Sequence, residues 1–231
     1  MRLLIFSALF HVVFATRDEF TCQLMPETGV CWFKSLARDA ATPNFVAKSN
    51  IPAAEVTKTN LGGGHGSHLH VLTSDICQAF PNLRDFNAQL LYLHELEAGV
   101  FENCHDLEVI NLEVNRLQHL DVDLFKNNQK LRKIHLADNL LQSIDLKIFN
   151  GLTELEELDL NKNQLKSFSV AEMPKLSKLH WLTLHKNELK DLNLEQLFEK
   201  CPKLAETGAH LRLCPGNRFE KDAKFKCDEI N

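Results

Sequence analysis

The sequence predicts an α/β solenoid, a fold in which short repeated units stack side by side and share one core. Three observations lead to this prediction: a period of 24 residues, a fixed order of apolar positions within each period, and an asparagine at the same place in four of the five clear repeats. The clear repeats start at Leu83, Leu107, Leu131, Leu155 and Leu179. One such unit cannot bury its apolar face alone, so the units must stack.

Each clear repeat opens with alternating apolar residues, which predict a short strand with one buried face. Stacked repeats would place these strands in one parallel sheet. The recurring asparagine follows the strand, where its side chain can bond turn backbone that would otherwise be buried without a partner. We expect these residues to form a ladder of Asn115, Asn139, Asn163 and Asn187. A second column, Phe101, Phe125, Phe149 and Met173, is expected to fill the convex side.

The N-terminus has the pattern of a secretory signal peptide. Met1-Arg2 precedes an apolar stretch that ends in Val13-Phe14-Ala15, and we expect cleavage after Ala15. The stretch is shorter than the roughly 20 residues that span a bilayer. We therefore expect residues 1–15 to be removed and the mature protein to be secreted and extracellular, without a membrane span.

The repeat pattern becomes irregular at both ends, as terminal units do in solenoids. A glycine-rich run over residues 62–66 follows an irregular first strand, predicted over residues 54–59. Leu204 is expected to start a degraded sixth unit with Thr207, Ala209 and Leu211. The expected organisation is an N-terminal cap over 16–52, repeats over 53–204, and a C-terminal cap and tail over 205–231.

The seven cysteines cannot all pair within the chain. Sequence spacing and repeat position suggest the disulfides Cys22–Cys31, Cys77–Cys104 and Cys214–Cys227. An equally open alternative is that Cys77, Cys104 and Cys201 are small buried hydrophobic residues. If the three pairs form, Cys201 is left as a free thiol, available for a covalent partner or a covalent dimer.

Motifs of enzyme chemistry are missing from the sequence. It has no Gly-x-Ser-x-Gly, no phosphate-binding loop and no His-Glu-x-x-His, so we expect no catalytic residues and no cofactor. The net charge of −5 gives no general attraction for nucleic acid. His65, His68 and His70 could bind zinc or copper, but a polar loop is the expectation, and hence no metal site.

The Leu/Asn pattern and the phenylalanine column resemble the extracellular leucine-rich repeat family over about residues 50–214. Within it, the chain is similar to secreted insect proteins that include the leucine-rich immune proteins of mosquito haemolymph. The resemblance implies a right-handed horseshoe with a parallel concave sheet. It also implies a convex side of loops, short helices or 3-10 turns, and disulfide-bearing caps at both ends.

On the concave face of such a fold, the outward residues of the strands are available to a partner. Trp181 is a large aromatic residue at an outward position, although it could instead fold against the C-terminal cap. The charges alternate in sign from strand to strand, which suits either recognition or solubility. The candidate partner-binding residues are Arg132, Lys133, His135, Glu156, Glu157, Asp159, His180, Trp181 and His185.

The function predicted from these features is recognition of a macromolecule, most simply a protein, by a secreted module. Innate immunity is the setting that the family resemblance implies. A cell-adhesion or receptor-ligand protein would use the same concave face, so that alternative stays open. A second alternative is a small-ligand or metal binder that uses the His-rich loop over residues 65–70. The partner could also be a second copy of the chain, in a covalent or non-covalent dimer.

Overall fold

A computed structural model describes residues 19–25, 30–33, 44–47, 52–62 and 68–218 of the 231-residue chain. The signal peptide predicted for residues 1–15, His65 of the glycine-rich run and Cys227 lie outside these ranges. No helix within them is long and apolar enough to cross a membrane.

Short strands recur along the described ranges and carry most of the regular structure. They are β1 (Glu19–Met25), β2 (Val30–Trp32), β3 (Asn44–Ala47), β4 (Lys58–Asn60), β5 (Val71–Leu72), β6 (Asp85–Asn87), β7 (Glu95–Leu96), β8 (Val109–Asn111), β9 (Lys133–His135), β10 (Glu157–Asp159), β11 (Trp181–Thr183) and β12 (His210–Arg212).

Ten of these strands form a single sheet in the order β12-β11-β10-β9-β8-β6-β4-β2-β1-β3. All neighbours from β2 to β12 are parallel, and β1 joins β2 as an antiparallel hairpin. The register follows the 24-residue period, because Leu158 pairs with Ile134 on one side and with Leu182 on the other. Strands β5 and β7 form a separate two-stranded sheet. The predicted parallel-sheet solenoid is confirmed.

The segments that return from one strand to the next hold only short helices. These are α1 (Asp75–Ala79), α2 (Leu194–Lys200) and four 3-10 helices over Ala53–Glu55, Leu146–Phe149, Val170–Glu172 and Pro202–Ala205. The expected convex side of loops, short helices and 3-10 turns is therefore present in the described ranges.

The core lies between the sheet and these return segments. The middle residue of β6, β8, β9, β10 and β11 is fully buried, as Ile134 and Leu158 illustrate. The phenylalanine column is buried behind them, and the rings of Phe101 and Phe125 stack with centroids 6.3 Å apart. Successive units thus share one continuous apolar core, because no unit has enough apolar surface to bury on its own.

The asparagine ladder joins neighbouring repeats through their backbones. In Asn139, which is 4% exposed, Nδ2 donates to Leu136 O in its own repeat (3.1 Å) and to Leu112 O in the preceding one (2.9 Å). Its Oδ1 accepts from Leu117 N at 3.1 Å. Asn163 and Asn187 repeat this arrangement, so the side chains bond the buried turn groups as predicted.

The C-terminal unit has a register different from the one predicted from Leu204. That prediction is wrong because it would align Thr207 with Leu182, whereas Leu211 is the residue that pairs with Leu182. The step between these two strands is 29 residues, since α2 and a 3-10 helix lengthen the return segment.

Asn217 adds a further rung to the ladder at this end. Its Nδ2 donates to Leu184 O at 2.9 Å, and its Oδ1 accepts from Leu189 N at 3.1 Å. The sheet therefore continues into the segment that the sequence assigned to the cap.

Disulfides close the N-terminal part of the solenoid. Cys22–Cys31 links β1 to β2, and β2 continues the sheet by pairing with β4. The irregular strand predicted over 54–59 is instead a 3-10 helix over Ala53–Glu55 followed by β4. Cys77–Cys104 joins two successive repeats. Two of the three predicted pairs are thus present, so Cys77 and Cys104 are not free buried thiols.

We predict that Asn163→Ala lowers the free energy of unfolding by about 1–3 kcal/mol, because backbone groups of two repeats lose their buried partner. Urea denaturation followed by circular dichroism measures this loss. Gln142→Ala, at an exposed position of the neighbouring repeat, is the matched control and should change stability by less than about 0.5 kcal/mol. Equal losses in the two variants would contradict the role assigned to the ladder.

Candidate functional site

The outward residues of the sheet line up in two columns, because the parallel strands pair in register. The first column runs Lys58, Asp85, Val109, Lys133, Glu157, Trp181 and His210. The second runs Asn60, Asn87, Asn111, His135, Asp159, Thr183 and Arg212. The candidate residues of the sequence lie in these columns or directly beside them.

Charged candidates of β9 and β10 pair with each other across the strands. Lys133 Nζ lies 2.8 Å from Glu157 Oε1, and Arg132 binds Glu156 through two nitrogens at 2.9 and 3.3 Å. The hydrogen bond from Arg132 lowers the pKa of Glu156. The basic and acidic strands therefore neutralise each other within the sheet, and little net charge is left for a partner.

Asp159 is engaged in the turn that ends β10. Its carboxylate accepts hydrogen bonds from Asn161 N (3.0 Å) and from the Thr183 hydroxyl of the next strand. Asn87 and Asn111 accept from the backbone two residues on in the same way. These polar residues act as turn-forming Asx residues, a role that the sequence interpretation did not assign to them.

His135 lies between two carboxylates. Its Nδ1 is 3.9 Å from Glu113 Oε1, and its Nε2 is 3.7 Å from Glu157 Oε2. Burial raises the pKa of Glu113, and the nearby imidazole opposes that shift. A partner that approaches here meets a partly buried group of one imidazole and two acids.

Trp181 forms an aromatic platform with His210. The two rings stack with centroids 3.7 Å apart and an angle of 17° between their planes. Trp181 keeps 39% of its surface exposed, so packing against the last strand covers only part of the indole. The sequence interpretation missed His210 and Arg212, because the 29-residue step put them out of the expected register.

The imidazoles beside this platform differ in environment. His180 Nδ1 lies 3.2 Å from Lys178 O. Burial lowers the pKa of His185, and the positive charge of Arg212 adds to the effect. His185 Nδ1 is buried and has no hydrogen-bond partner within the described ranges. The C-terminal end of the sheet is thus an aromatic and imidazole-rich surface, held in place by β11 and β12.

Two histidines of the His-rich loop, His68 and His70, lie within the described residues. There, no group of three or more His, Cys, Asp or Glu side chains is placed to hold an ion. His68 stacks on Tyr92 with centroids 4.6 Å apart, and the rings of His70 and His94 lie 5.4 Å apart.

Cys201 is a free thiol, but it is not available to a partner. Its side chain is fully buried at the end of α2, and burial raises the pKa of the thiol to about 12. The prediction of a thiol available for covalent attachment is therefore wrong, since both access and ionisation are suppressed. Cys214 is disulfide-bonded, and its predicted partner Cys227 lies outside the described residues.

Comparisons with known proteins agree with this architecture. Residues 129–189 match the leucine rich repeat family. No curated protein sequence matches the chain significantly. A chain in the crystal structure of the LRIM1/APL1C complex is 17% identical, with a TM-score of 0.55 over 76% of this chain and 36% of that one. Human 5T4 (Wnt-activated inhibitory factor 1, trophoblast glycoprotein) is 20% identical, with a TM-score of 0.57 over 84% of this chain and 80% of that one.

These similarities show a leucine-rich repeat fold. The chain spans about a third of the length of the matched chain in the LRIM1/APL1C complex. Since 248 chains of solved structures match significantly, the fold is widely shared. A widely shared fold does not define a ligand.

We predict that iodoacetamide at pH 8 leaves Cys201 unmodified in the native protein and labels it fully after unfolding in guanidinium. A thiol with a pKa of about 12 is ionised to about one part in ten thousand at that pH. Peptide mass mapping measures the modification. Labelling of the native protein at the rate of an exposed cysteine would contradict the burial of this thiol.

Proposed function

We propose that this protein is a secreted recognition module that binds a partner protein through its concave sheet, with Trp181 as the central anchor. The observation that carries the proposal is the Trp181–His210 stack, in which a large aromatic ring is held rigidly and still keeps 39% of its surface exposed. Tryptophan is enriched among the residues that dominate binding energy at protein interfaces.

The rigidity of the platform favours tight binding. Trp181 lies on β11, the second strand from the C-terminal edge of the sheet, with β10 on one side and β12 on the other, and His210 stacks on its ring. Little side-chain freedom is left to lose when a partner covers the indole, so more of the contact energy is available for affinity.

The charged residues support selectivity more than attraction. Since Lys133 and Arg132 already pair with Glu157 and Glu156, a partner gains little from a simple opposite charge. It must instead match a patterned surface of paired charges around the aromatic platform, which is typical of the polar rim of an interface.

Two further observations support a secreted protein that acts on another protein. Disulfides such as Cys22–Cys31 and Cys77–Cys104 persist in oxidising, extracellular environments. One of the similar structures is itself a protein complex. Innate immunity is the setting that the family resemblance of the sequence suggests, and adhesion or receptor binding would use the same face. His68 already stacks on Tyr92, so a metal or small-ligand binder that uses the His-rich loop is the less favoured alternative.

We predict that Trp181→Ala weakens partner binding by about 2 kcal/mol, near 30-fold, because the partner loses the aromatic ring on which it packs. Affinity capture from the native extracellular fluid supplies the partner, and calorimetric titration of the purified pair measures the loss. Val122→Ala is the matched control, because Val122 is equally exposed but lies in a return segment rather than on the sheet.

Thermal melting of the same two variants separates binding from folding. The melting temperature of Trp181→Ala should stay within a few degrees of the parent protein, since the ring is only partly buried. Unchanged affinity together with a large fall in melting temperature would assign Trp181 to the core and contradict the proposal.

A further inference from the structure

A second cluster of exposed apolar side chains lies away from the concave sheet, on the turns that follow two neighbouring strands. Leu90 follows β6 and is 48% exposed, and Val114 follows β8 and is 42% exposed. Tyr92, in the same turn as Leu90, is 43% exposed. The backbone of Leu90 bonds to Glu113 of the adjacent turn at 3.2 Å, so the two turns are neighbours. Together with His68 and Arg116, these residues are called here the Tyr92 patch.

The backbone conformation at two of these positions is strained for the residues that occupy them. Val114 has φ 54° and Leu90 has φ 61°, both in the left-handed region, which L-amino acids with branched side chains avoid. The turns that precede the later ladder asparagines place Asp138, Lys162 and Lys186 in the same conformation, and Gly216 before Asn217 has φ 102°. The equivalent position of the later repeats is thus occupied by a polar residue or glycine, so the turn conformation does not require a valine at position 114.

Strain and exposure of an apolar side chain at the same position point to a function outside folding. Val114 keeps 42% of its surface exposed despite its strained backbone. An apolar contact with another molecule would supply that burial.

The patch is also organised by ring stacking along the repeats. The imidazole of His68 stacks on Tyr92 at 4.6 Å and 19°, and the guanidinium of Arg116 lies 4.8 Å from the centre of the same ring. These residues are spaced 24 positions apart, one in each of three successive units. The phenol is thus held between two neighbours, His68 and Arg116.

The charge of Arg116 indicates which kind of partner the Tyr92 patch can bind. Arg116 is exposed and makes no ion pair within the described ranges. The acid at the next equivalent turn, Asp138, already binds Lys162 at 3.1 Å. Glu113, next to Val114, faces His135 on the concave sheet. The patch therefore presents apolar surface beside a cation whose charge is not neutralised by a nearby carboxylate.

We propose that the Tyr92 patch is a docking site for an acidic, apolar segment of a partner protein. An aromatic or aliphatic side chain of that segment packs on Leu90, Tyr92 and Val114. A neighbouring carboxylate accepts hydrogen bonds from the Arg116 guanidinium, whose planar geometry suits a carboxylate. This site lies on the turns that follow β6 and β8 and is independent of the Trp181 platform.

A peptide titration of the full chain tests this site. The probe is the acetylated, amidated peptide Asp-Phe-Glu-Leu-Asp, and the comparison peptide carries lysine in place of each acid. Methyl NMR should show the resonances of Leu90 and Val114 shifting with the acidic peptide at millimolar concentration, while the lysine peptide binds at least about tenfold more weakly.

Variants then separate docking from folding. Val114→Asn and Arg116→Gln should each lower the affinity for the acidic peptide about tenfold. The melting temperature of Val114→Asn should stay the same or rise, because asparagine tolerates the left-handed conformation. Asp138→Asn, at the equivalent turn of the next repeat, is the matched control and should leave peptide affinity unchanged.

Several results would overturn the proposal. One is the absence of any shift at Leu90 and Val114, and another is equal binding of the acidic and lysine peptides. A fall in the melting temperature of Val114→Asn without a loss of affinity would mean that the patch serves the fold. Loss of binding in Trp181→Ala but not in Val114→Asn would place the peptide on the concave sheet instead, and so would support the function proposed there while contradicting this site.

Discussion

The hydrogen bonds of the ladder asparagines are the interaction on which the rest of the structure depends. Each side chain donates to carbonyl groups of two successive repeats and accepts from a backbone N–H of the preceding one, as Asn163 does with Leu160, Leu136 and Leu141. These groups are buried and have no sheet partner. Without its asparagine a turn would bury unpaired polar backbone, at a cost of about 1–3 kcal/mol.

The ladder also determines how the surface is arranged. It holds the turns after β8, β9, β10 and β11 in the same conformation, so these strands pair in register and residues 24 positions apart become neighbours. Lys133–Glu157, Trp181–His210 and Tyr92–Arg116 are all contacts between successive units. The aromatic platform on the sheet and the patch on the turns are therefore both products of the same repeat geometry.

The fold could be predicted from the sequence to a large extent, because its determinants are local and periodic. Leucines at fixed spacing define the strands, and asparagines mark the turns. The last unit was misplaced because its return segment is longer and Asn217 stands one residue further from the strand than Asn187 does. The pattern Leu211, Leu213, Gly216-Asn217 was the available signal, and it would have placed His210 beside Trp181.

The site was less predictable, since its properties depend on contacts between repeats. The pairing of Lys133 with Glu157 can be read from their 24-residue spacing, but the same spacing does not tell whether the side chains meet. The burial of Cys201 depends on the position of α2 over the core, which the repeat pattern does not contain. Disulfide spacing gave Cys22–Cys31 correctly, because a short hairpin leaves few other geometries.

Amide hydrogen exchange measured by NMR tests the central claim most directly. The N–H groups of Leu117, Leu141, Leu165 and Leu189 lie outside the strands, and ladder asparagines are their partners. The account predicts that these amides exchange as slowly as those in the centre of the sheet, because they open only when the solenoid unfolds. Exchange as fast as at the exposed turn residues Gln118 and Gln142 would contradict it.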